Sequence, residues 1–425
     1  MVHTGSDVKN HHVSALRSRC ILFIIDGMGD LPSPELSGLT PLEAASTPVL
    51  DLMAGNGLYG LVDPIRQGAI PNTHSGVGRL MGLIPEQANF LCRGPVEAAG
   101  RGVALAPGDI AMRTNFATLE LRADGLWVKD RRAGRITRAT DELAFVLQNI
   151  DLGDGIRGSL SSTDQHRGVL VLSGAGLSGT ISNTDPGEKT MPAPLLDCRA
   201  IGPGAEVTAA KVNQFVAEAH RLLAEHPVNS DRISNGELPA NGVITRGAGQ
   251  QFNLDNVLHK LGIKAAVVSG CNTVNGVGKL LGLEVITKPA FTADINTDLD
   301  GKIAAAMAAL AIHDMVFVHI KAPDICSHER QPLSKRDMLQ RIDEAMAPLV
   351  GTDFVVAVGA DHTTDSNTSY HTADPVPSLI CKMKPEMGSS PVIFGEAACR
   401  SGNMARQSSH HFLLTVLRTM GHQVV

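Results

Sequence analysis

The sequence predicts an α/β protein, a doubly wound and mostly parallel sheet interrupted by a smaller inserted α+β domain. Three observations carry this. Short, wholly apolar runs alternate with amphipathic stretches near both ends of the chain, as buried parallel strands alternate with covering helices. A middle block, about 106–254, changes to alternating apolar and polar residues, the mark of antiparallel pairs. The chain has 425 residues, more than one small core needs, so two domains are expected. The division that follows is a leader over 1–18, a core domain over 19–105 and 255–425, and an inserted domain over 106–254.

Taken in order, residues 1–18 are polar, and His11-His12 within them reads as part of a disordered leader rather than as a metal site. CILFII (20–25) is a continuous apolar run ending at Asp26-Gly27, as a buried parallel strand reads. Thr40 as N-cap and Pro41 at the first helical position open a helix expected to run to about Ala54 and stop at Gly55. Residues 57–62 read as a strand, 71–76 as a turn ahead of a short apolar helix (GVGRLMGL), and 94–100 as another helix. Residues 115–130 alternate across Asp124-Gly125, a hairpin signal; 168–174 is a strand and 208–226 an amphipathic helix. From 255 the βα alternation returns. NVLHKLG, TVNGVGKLLG, DGKIAAAMAALA, KRDMLQRIDEAMAPLV and 411–421 read as helices, and KAAVVSG, 314–320 and 353–359 as strands.

Composition excludes several roles. Net charge is −6 with no basic run, which argues against nucleic acid as partner, and only Trp127, Tyr59 and Tyr370 join eleven Phe, too few for a base-stacking surface. No apolar run approaches membrane-spanning length and no signal peptide is visible. The seven Cys are scattered, with no C-x-x-C, so reduced thiols and a cytoplasmic location are expected.

The chemistry sits after the strands. Asp26 follows CILFII; Asp324, with His328 four residues on, follows VFVHIKAP; Asp361-His362 follow VVAVGA; His371 lies in SYHTADPVP. In an open parallel sheet, sites collect at the carboxyl ends of the strands, so three strands are expected to deliver these side chains to one edge. Each alone has a plainer reading, as a turn, a helix cap or a loop residue. Together they make six ligands, enough for two divalent cations. Carboxylate and imidazole without thiolate suit Mn²⁺, with Zn²⁺ or Mg²⁺ as alternatives. Thr73 and Ser75, in a Gly-flanked turn before a helix, are the candidate nucleophiles, with simple capping as the alternative for Thr73. Two cations beside a hydroxyl suit phosphoryl transfer.

These residues sit inside longer motifs: IIDGMGD, LTPLEAASTPVLD, RGPVEAAGRGVALAPGDIAMRTNFATLE, HRGVLVLSGAGLSGTISNTDP, EHPVN, PAN, TRGAG, HIKAPDICSHE, GADHTT and HTADPVP. In that order they resemble the archaeal-type, cofactor-independent phosphoglycerate mutases of the alkaline phosphatase superfamily, over nearly everything after residue 18. The resemblance implies an alkaline-phosphatase-like core. It implies that Asp26, the nucleophile, Asp361 and His362 hold one metal and that Asp324, His328 and His371 hold the other. It also implies a phosphoenzyme, from which the substrate takes the phosphoryl group back on its other hydroxyl. Arg93, Arg113, Arg132, Arg135, Arg167 and Arg246 are the anion-binding candidates; Arg113 and Arg167 are favoured because each lies inside a motif, and His166 and Lys321 are further substrate contacts.

One turn departs from the family. Its nucleophile segment reads Pro-Gly-Ser-Asp-Thr-Ala-His, and here Pro71-Asn72-Thr73-His74-Ser75-Gly76-Val77 stands in its place, with Thr73 on the nucleophilic Ser. Other branches of the superfamily, nucleotide pyrophosphatases and phosphonoacetate hydrolases, use Thr. The expected activity is a phosphoglycerate mutase-like isomerisation, a glycolytic reaction, acting on 2- and 3-phosphoglycerate or a related phosphorylated small acid. The alternatives are a phosphatase, a phosphonate hydrolase or an intermolecular phosphotransferase on the same scaffold, and an inactive paralogue with a binding role.

Overall fold

The computed structural model describes residues 17–187, 190–388 and 392–424. The leader lies outside the described residues up to residue 16, His11-His12 included. Cys20–Ile25 is buried at every position and sits mid-sheet, parallel to Met315–Ile320 on one side and Val355–Gly359 on the other. Helices cover both faces of such a strand, which is why its sequence is a continuous apolar run rather than an alternating one. The whole sheet runs Glu284–Ile286, Ala265–Val268, Met315–Ile320, Cys20–Ile25, Val355–Gly359, Val376–Lys382, Leu58–Asp63, Gln407–Ser408. Among these strands only Val376–Lys382 is antiparallel to its neighbours. Register brings the strand ends level: Ile25 pairs with Ile320, and Ile24 with Gly359. Asp26, Lys321 and Asp361 therefore leave the sheet along one edge.

A second, antiparallel sheet is built from residues 110–249. Its axis is the thirteen-residue strand Ile110–Arg122, paired with Arg167–Ser173, Gly125–Asp130 and Gly242–Gly249. The helix Glu206–Ala224 turns Val212, Phe215, Val216, Ala219 and Leu223 inward. They join Ile110, Met112, Phe116, Leu160, Leu170 and Leu172 in a hydrophobic cluster separate from that of the large sheet.

Three local readings are corrected. The helix expected from Pro41 to about Ala54 is two, Pro41–Ala44 and Pro48–Gly55. The ring of Pro48 crowds Thr47 out of helical geometry, and the second helix restarts with Pro48 in its first turn. Asp343 reaches across to accept from Val49 N (3.1 Å) and Leu50 N (2.8 Å), capping that restart. The strand of the 115–130 hairpin begins at Ile110, because residues 110–119 are buried on both faces and the alternation disappears there. The turn read over 71–76 is largely helix: Thr73–Leu80 starts at Thr73, and Asn72 is its N-cap. Among the described residues no helix is long and apolar enough to cross a membrane.

Candidate active site

The strand ends bring the carboxylates together. Asp26, Asp361 and His362 have no exposed surface and Asp324 has almost none. Gly27 takes a left-handed conformation (φ 63°) and donates its N–H to Asp361 Oδ1 at 3.2 Å. A Cβ there would lie 2.9 Å from Asp324 Oδ1, so glycine is what lets the Asp26 loop rest on both acids. Asp324 and His328 lie one turn apart on Ala322–His328, which brings His328 Nε2 to 3.3 Å from Asp324 Oδ2. His371 arrives from the two-stranded pairing of Thr363–Asp365 with Tyr370–Thr372 and stacks on His362 at 3.7 Å.

Hydrogen bonding fixes the proton on each imidazole. His328 Nδ1 lies 2.8 Å from Ser369 O and His371 Nδ1 lies 3.1 Å from Pro71 O. A carbonyl only accepts, so both Nδ1 atoms are donors. Thr364 Oγ1 gives its proton to Asp324 Oδ1 (2.8 Å), so His362 Nδ1, 2.9 Å away, donates to Thr364. A ring with its one proton on Nδ1 turns its Nε2 lone pair inward, toward carboxylate oxygens and the other rings: His362 Nε2 is 3.1 Å from Asp361 Oδ2 and 3.4 Å from Asp26 Oδ1, and His371 Nε2 is 3.6 Å from Asp324 Oδ1. Asp361 Oδ2 is buried and receives no hydrogen bond. Converging lone pairs around a buried, unsatisfied oxygen suit a cation, and each ring is oriented through its other nitrogen as metal-binding histidines are.

Two sets of ligand atoms lie within 4.8 Å of one another, Asp26 with Asp361 and His362, and Asp324 with His362 and His371. His362 is thus common to both. His328 falls outside these sets but lies 3.3 Å from His371 Nε2. Lys321 Nζ reaches Asp26 Oδ1 (2.9 Å), Asp324 Oδ2 (2.6 Å) and Thr73 Oγ1 (3.4 Å). Burial works against ionising Asp26 and Asp324, but the Lys321 charge leads the groups that hold both pKa values below the usual carboxylate range. Burial likewise opposes charge on His371, and Asp324 outweighs it, raising that pKa.

Thr73 is the first residue of its helix, and its Oγ1 lies 3.4 Å from His362 Nε2 as well as from Lys321. Since Nε2 is an acceptor and the ammonium a donor, the hydroxyl gives its proton to His362 and accepts from Lys321. Ser75 is occupied elsewhere: its Oγ accepts from Asn72 N (3.2 Å) and donates to Asn72 O (2.9 Å), half of a capping box. His74 Nδ1 lies 3.4 Å from Arg93 Nη1, and a guanidinium only donates, so His74 carries its proton on Nε2. Burial and Arg93 push its pKa down to about 3, keeping the ring neutral.

The arginines gather around two acids. Glu97 Oε1 takes Arg93 Nη2 (2.7 Å), Arg113 Nη1 (3.3 Å) and the Thr273 hydroxyl (3.0 Å). Asp185 takes both Arg131 (2.8 and 2.7 Å) and Arg246 (3.2 Å). Arg113 and Arg246 are cross-strand partners, as are Asn115 and Arg167. Arg167 also meets Asp164 at 2.9 Å in an exposed pair. His166 is buried with Nδ1 unpartnered, and burial together with Arg167, Arg132, Arg113 and Arg246 drives its pKa to about 3. Burial, then the charges of Arg135, Arg131 and Arg167, lower the Arg132 pKa from the ordinary guanidinium value. The Nε atoms of Arg93, Arg113 and Arg167 are buried without partners. The cluster holds more positive charge and more donors than its own acids satisfy, which suits an anionic ligand.

Sequence reading missed Glu97, Arg131, Asp185, Thr364 and His319. His319 Nε2 donates to Asp26 Oδ2 at 2.9 Å from inside the strand Met315–Ile320. Its one signal was an imidazole in an otherwise apolar run.

Residues 54–229 match the family described as 2,3-bisphosphoglycerate-independent phosphoglycerate mutase. A relative of that name from Methanopyrus kandleri is 38% identical over 426 residues, covering 97% of this chain and 98% of its own. Another from Methanosphaerula palustris is 38% identical over 364 residues, covering 85% and 88%. Among solved structures, a Pyrococcus horikoshii protein aligns with a TM-score of 0.80 at 28% identity, over 97% of this chain and 99% of that one. The cofactor-independent phosphoglycerate mutase from Thermoplasma acidophilum aligns with a TM-score of 0.64 at 32% identity, over 95% and 100%.

Proposed function

The chain belongs to the 2,3-bisphosphoglycerate-independent phosphoglycerate mutase family, and on that premise we propose that it interconverts 3- and 2-phosphoglycerate through a phosphoryl group carried on Thr73. Asp26, Thr73, Asp361 and His362 would hold one divalent cation, and Asp324, His328 and His371 a second. The oxygen and nitrogen donors fit Mn²⁺, with Zn²⁺ or Mg²⁺ as alternatives. Bound there, the cations supply positive charge that eases ionisation of the Thr73 hydroxyl and neutralises phosphoryl oxygens.

The side chains do the rest. Thr73 Oγ gives up its proton and bonds to phosphorus as the ester bond to glycerate breaks, and the departing glycerate oxygen takes up one proton, so the exchange is proton-neutral. Lys321, already beside Thr73 Oγ1, donates to the transferring group. Arg93, Arg113, Arg167 and Arg246, with His166, hold the carboxylate and the departing end of the substrate. Glycerate then turns and its other hydroxyl attacks the phosphothreonine, reversing the bond changes. Residues 106–254 act as a cap over a core made by 19–105 and 255–425, keeping water from the phosphoenzyme. A cytoplasmic location belongs to the same reading.

The observation that carries this is Thr73 Oγ1, 3.4 Å from both His362 Nε2 and Lys321 Nζ, at the edge where three strands deliver their acids. The test is incubation with 3-phosphoglycerate and Mn²⁺. Accumulation of 2-phosphoglycerate without matching free phosphate is expected. Free phosphate alone would favour a phosphatase, a reading for which the Asn72-Thr73-His74 segment speaks.

A further inference from the structure

Behind the strand-end acids lies a charged pair with no solvent contact. Lys335, on the helix Pro332–Ala345, has no exposed surface, and its Nζ donates to Asp30 Oδ2 (2.7 Å), Gly29 O (3.1 Å) and Thr364 O (3.2 Å). All three ammonium protons are used. Asp30 is equally engaged: Oδ1 accepts from Leu31 N (2.7 Å) and Ser366 N (3.0 Å), and its own N–H donates to Glu396 Oε1 (3.1 Å). Gly29 O also accepts from Thr364 N at 3.0 Å.

These bonds join two loops that carry ligand side chains. One runs from Asp26 to Asp30. The other runs from Asp361 to Ser366, and Thr364 within it orients both His362 and Asp324 through a single hydroxyl. The loops are pressed together: a Cβ on Gly29 would stand 2.4 Å from Thr363 Oγ1. Lys335 and Asp30 touch none of the ligand atoms themselves. A buried ion pair loses hydration that its mutual attraction barely offsets, so it gives little net stability over an apolar pair of the same size. What it does give is a fixed geometry: Lys335 bonds Gly29 O and Asp30 on one loop and Thr364 O on the other, and Ser366 N bonds Asp30 Oδ1 across the gap.

We infer that the Lys335–Asp30 pair is a positioning device that holds the Asp26 loop against the Asp361–Thr364 loop and thereby sets the affinity of the centre for divalent cations. The inference rests on the metal reading of that centre. Asp30 closes the motif IIDGMGD, four residues after Asp26, and Lys335 lies outside the motifs.

The test uses the full chain and Mn²⁺ alone, with free Mn²⁺ read by electron paramagnetic resonance during titration and no substrate present. The double variant Asp30→Asn/Lys335→Met removes both charges together, so no buried charge is left unpaired. Mn²⁺ affinity is expected to weaken by about 10- to 100-fold, the range for supporting groups around metal ligands. Affinity within twofold of wild type would overturn the inference. Val212→Ala, in the other hydrophobic cluster, lowers stability without touching these loops and is expected to leave Mn²⁺ affinity unchanged. An equal loss in that variant would mean that the effect is general destabilisation, and would also overturn the inference. Should the double variant fail to fold, Asp30→Asn/Lys335→Gln again removes both charges and keeps an amide donor near Gly29 O and Thr364 O. A loss of roughly threefold or more is then expected, and none would overturn the inference. Failure of wild-type protein to bind Mn²⁺ would remove the metal reading itself, a result distinct from equal binding by wild type and variant.

Discussion

His328 and His371 face each other Nε2 to Nε2 at 3.3 Å, while the Nδ1 of each ring donates to a backbone carbonyl. Two lone pairs at that distance repel unless a proton or a cation stands near both. Replacing His371 with Ala should therefore remove one divalent cation rather than unfold the protein. Mn²⁺ titration should show one tight site fewer or a loss of at least about 100-fold at that site, with the far-ultraviolet circular dichroism unchanged.

Gly76 lets the helix that begins at Thr73 lie on the loop that carries Asp361. A Cβ at this position would fall 2.1 Å from Asp361 O and 2.8 Å from Asp361 Cα, and both are backbone atoms, which cannot turn aside as a side chain can. Gly76→Ala should destabilise by about 2–4 kcal/mol in urea unfolding and reduce turnover more than ten-fold, since either Thr73 or Asp361 must move.

Arg113 is nearly buried, bonded to Glu97 through one nitrogen, with its Nε unpartnered. Arg113→Met should raise KM for 3-phosphoglycerate by about 10- to 100-fold, as expected for one or two lost hydrogen bonds to a charged group. Steady-state kinetics should show kcat falling less than KM rises. The reverse pattern would mean that Arg113 acts on the transferring phosphoryl group rather than on the anchored end.

Glu396 is buried between Asp30 N (3.1 Å) and the Thr40 hydroxyl (2.6 Å), and burial raises its pKa to about 7. With the folded pKa above the unfolded one, the folded state holds the extra proton. The stability so gained is complete below the ordinary glutamate range and is lost as pH rises through about 7. Glu396→Gln should flatten that dependence and be the more stable protein above pH 7, by at most roughly 3 kcal/mol. Thermal unfolding across pH 5–8 checks the sign.

The core strands, and the acids and histidines gathered at their ends, were legible because each is a local signal. Cys20–Ile25, Met315–Ile320 and Val355–Gly359 are buried on both faces, so they read as unbroken apolar runs, and Asp26 and Asp361 stand at or just beyond their ends. What supports these side chains was not legible, because its signal is not local. His319 reaches Asp26 across 293 residues of chain and Lys335 reaches Asp30 across 305. Lys335 reads as one more polar residue of an amphipathic helix, and Glu97 as the partner of an Arg one turn earlier. Val376–Lys382 escaped notice because it is a reversed strand with Pro377 inside a mostly parallel sheet, where proline argues against a central position.

The identity of the phosphorylated residue tests the account most directly. Acid-quenched enzyme, taken during turnover of phosphorus-labelled 3-phosphoglycerate with Mn²⁺, is digested and its label located by mass spectrometry. The label should lie on Thr73, persist in Thr73→Ser and vanish with turnover in Thr73→Ala. Label on Ser75, whose hydroxyl is held in the cap by Asn72, or 2-phosphoglycerate formed by Thr73→Ala at the wild-type rate, would contradict it.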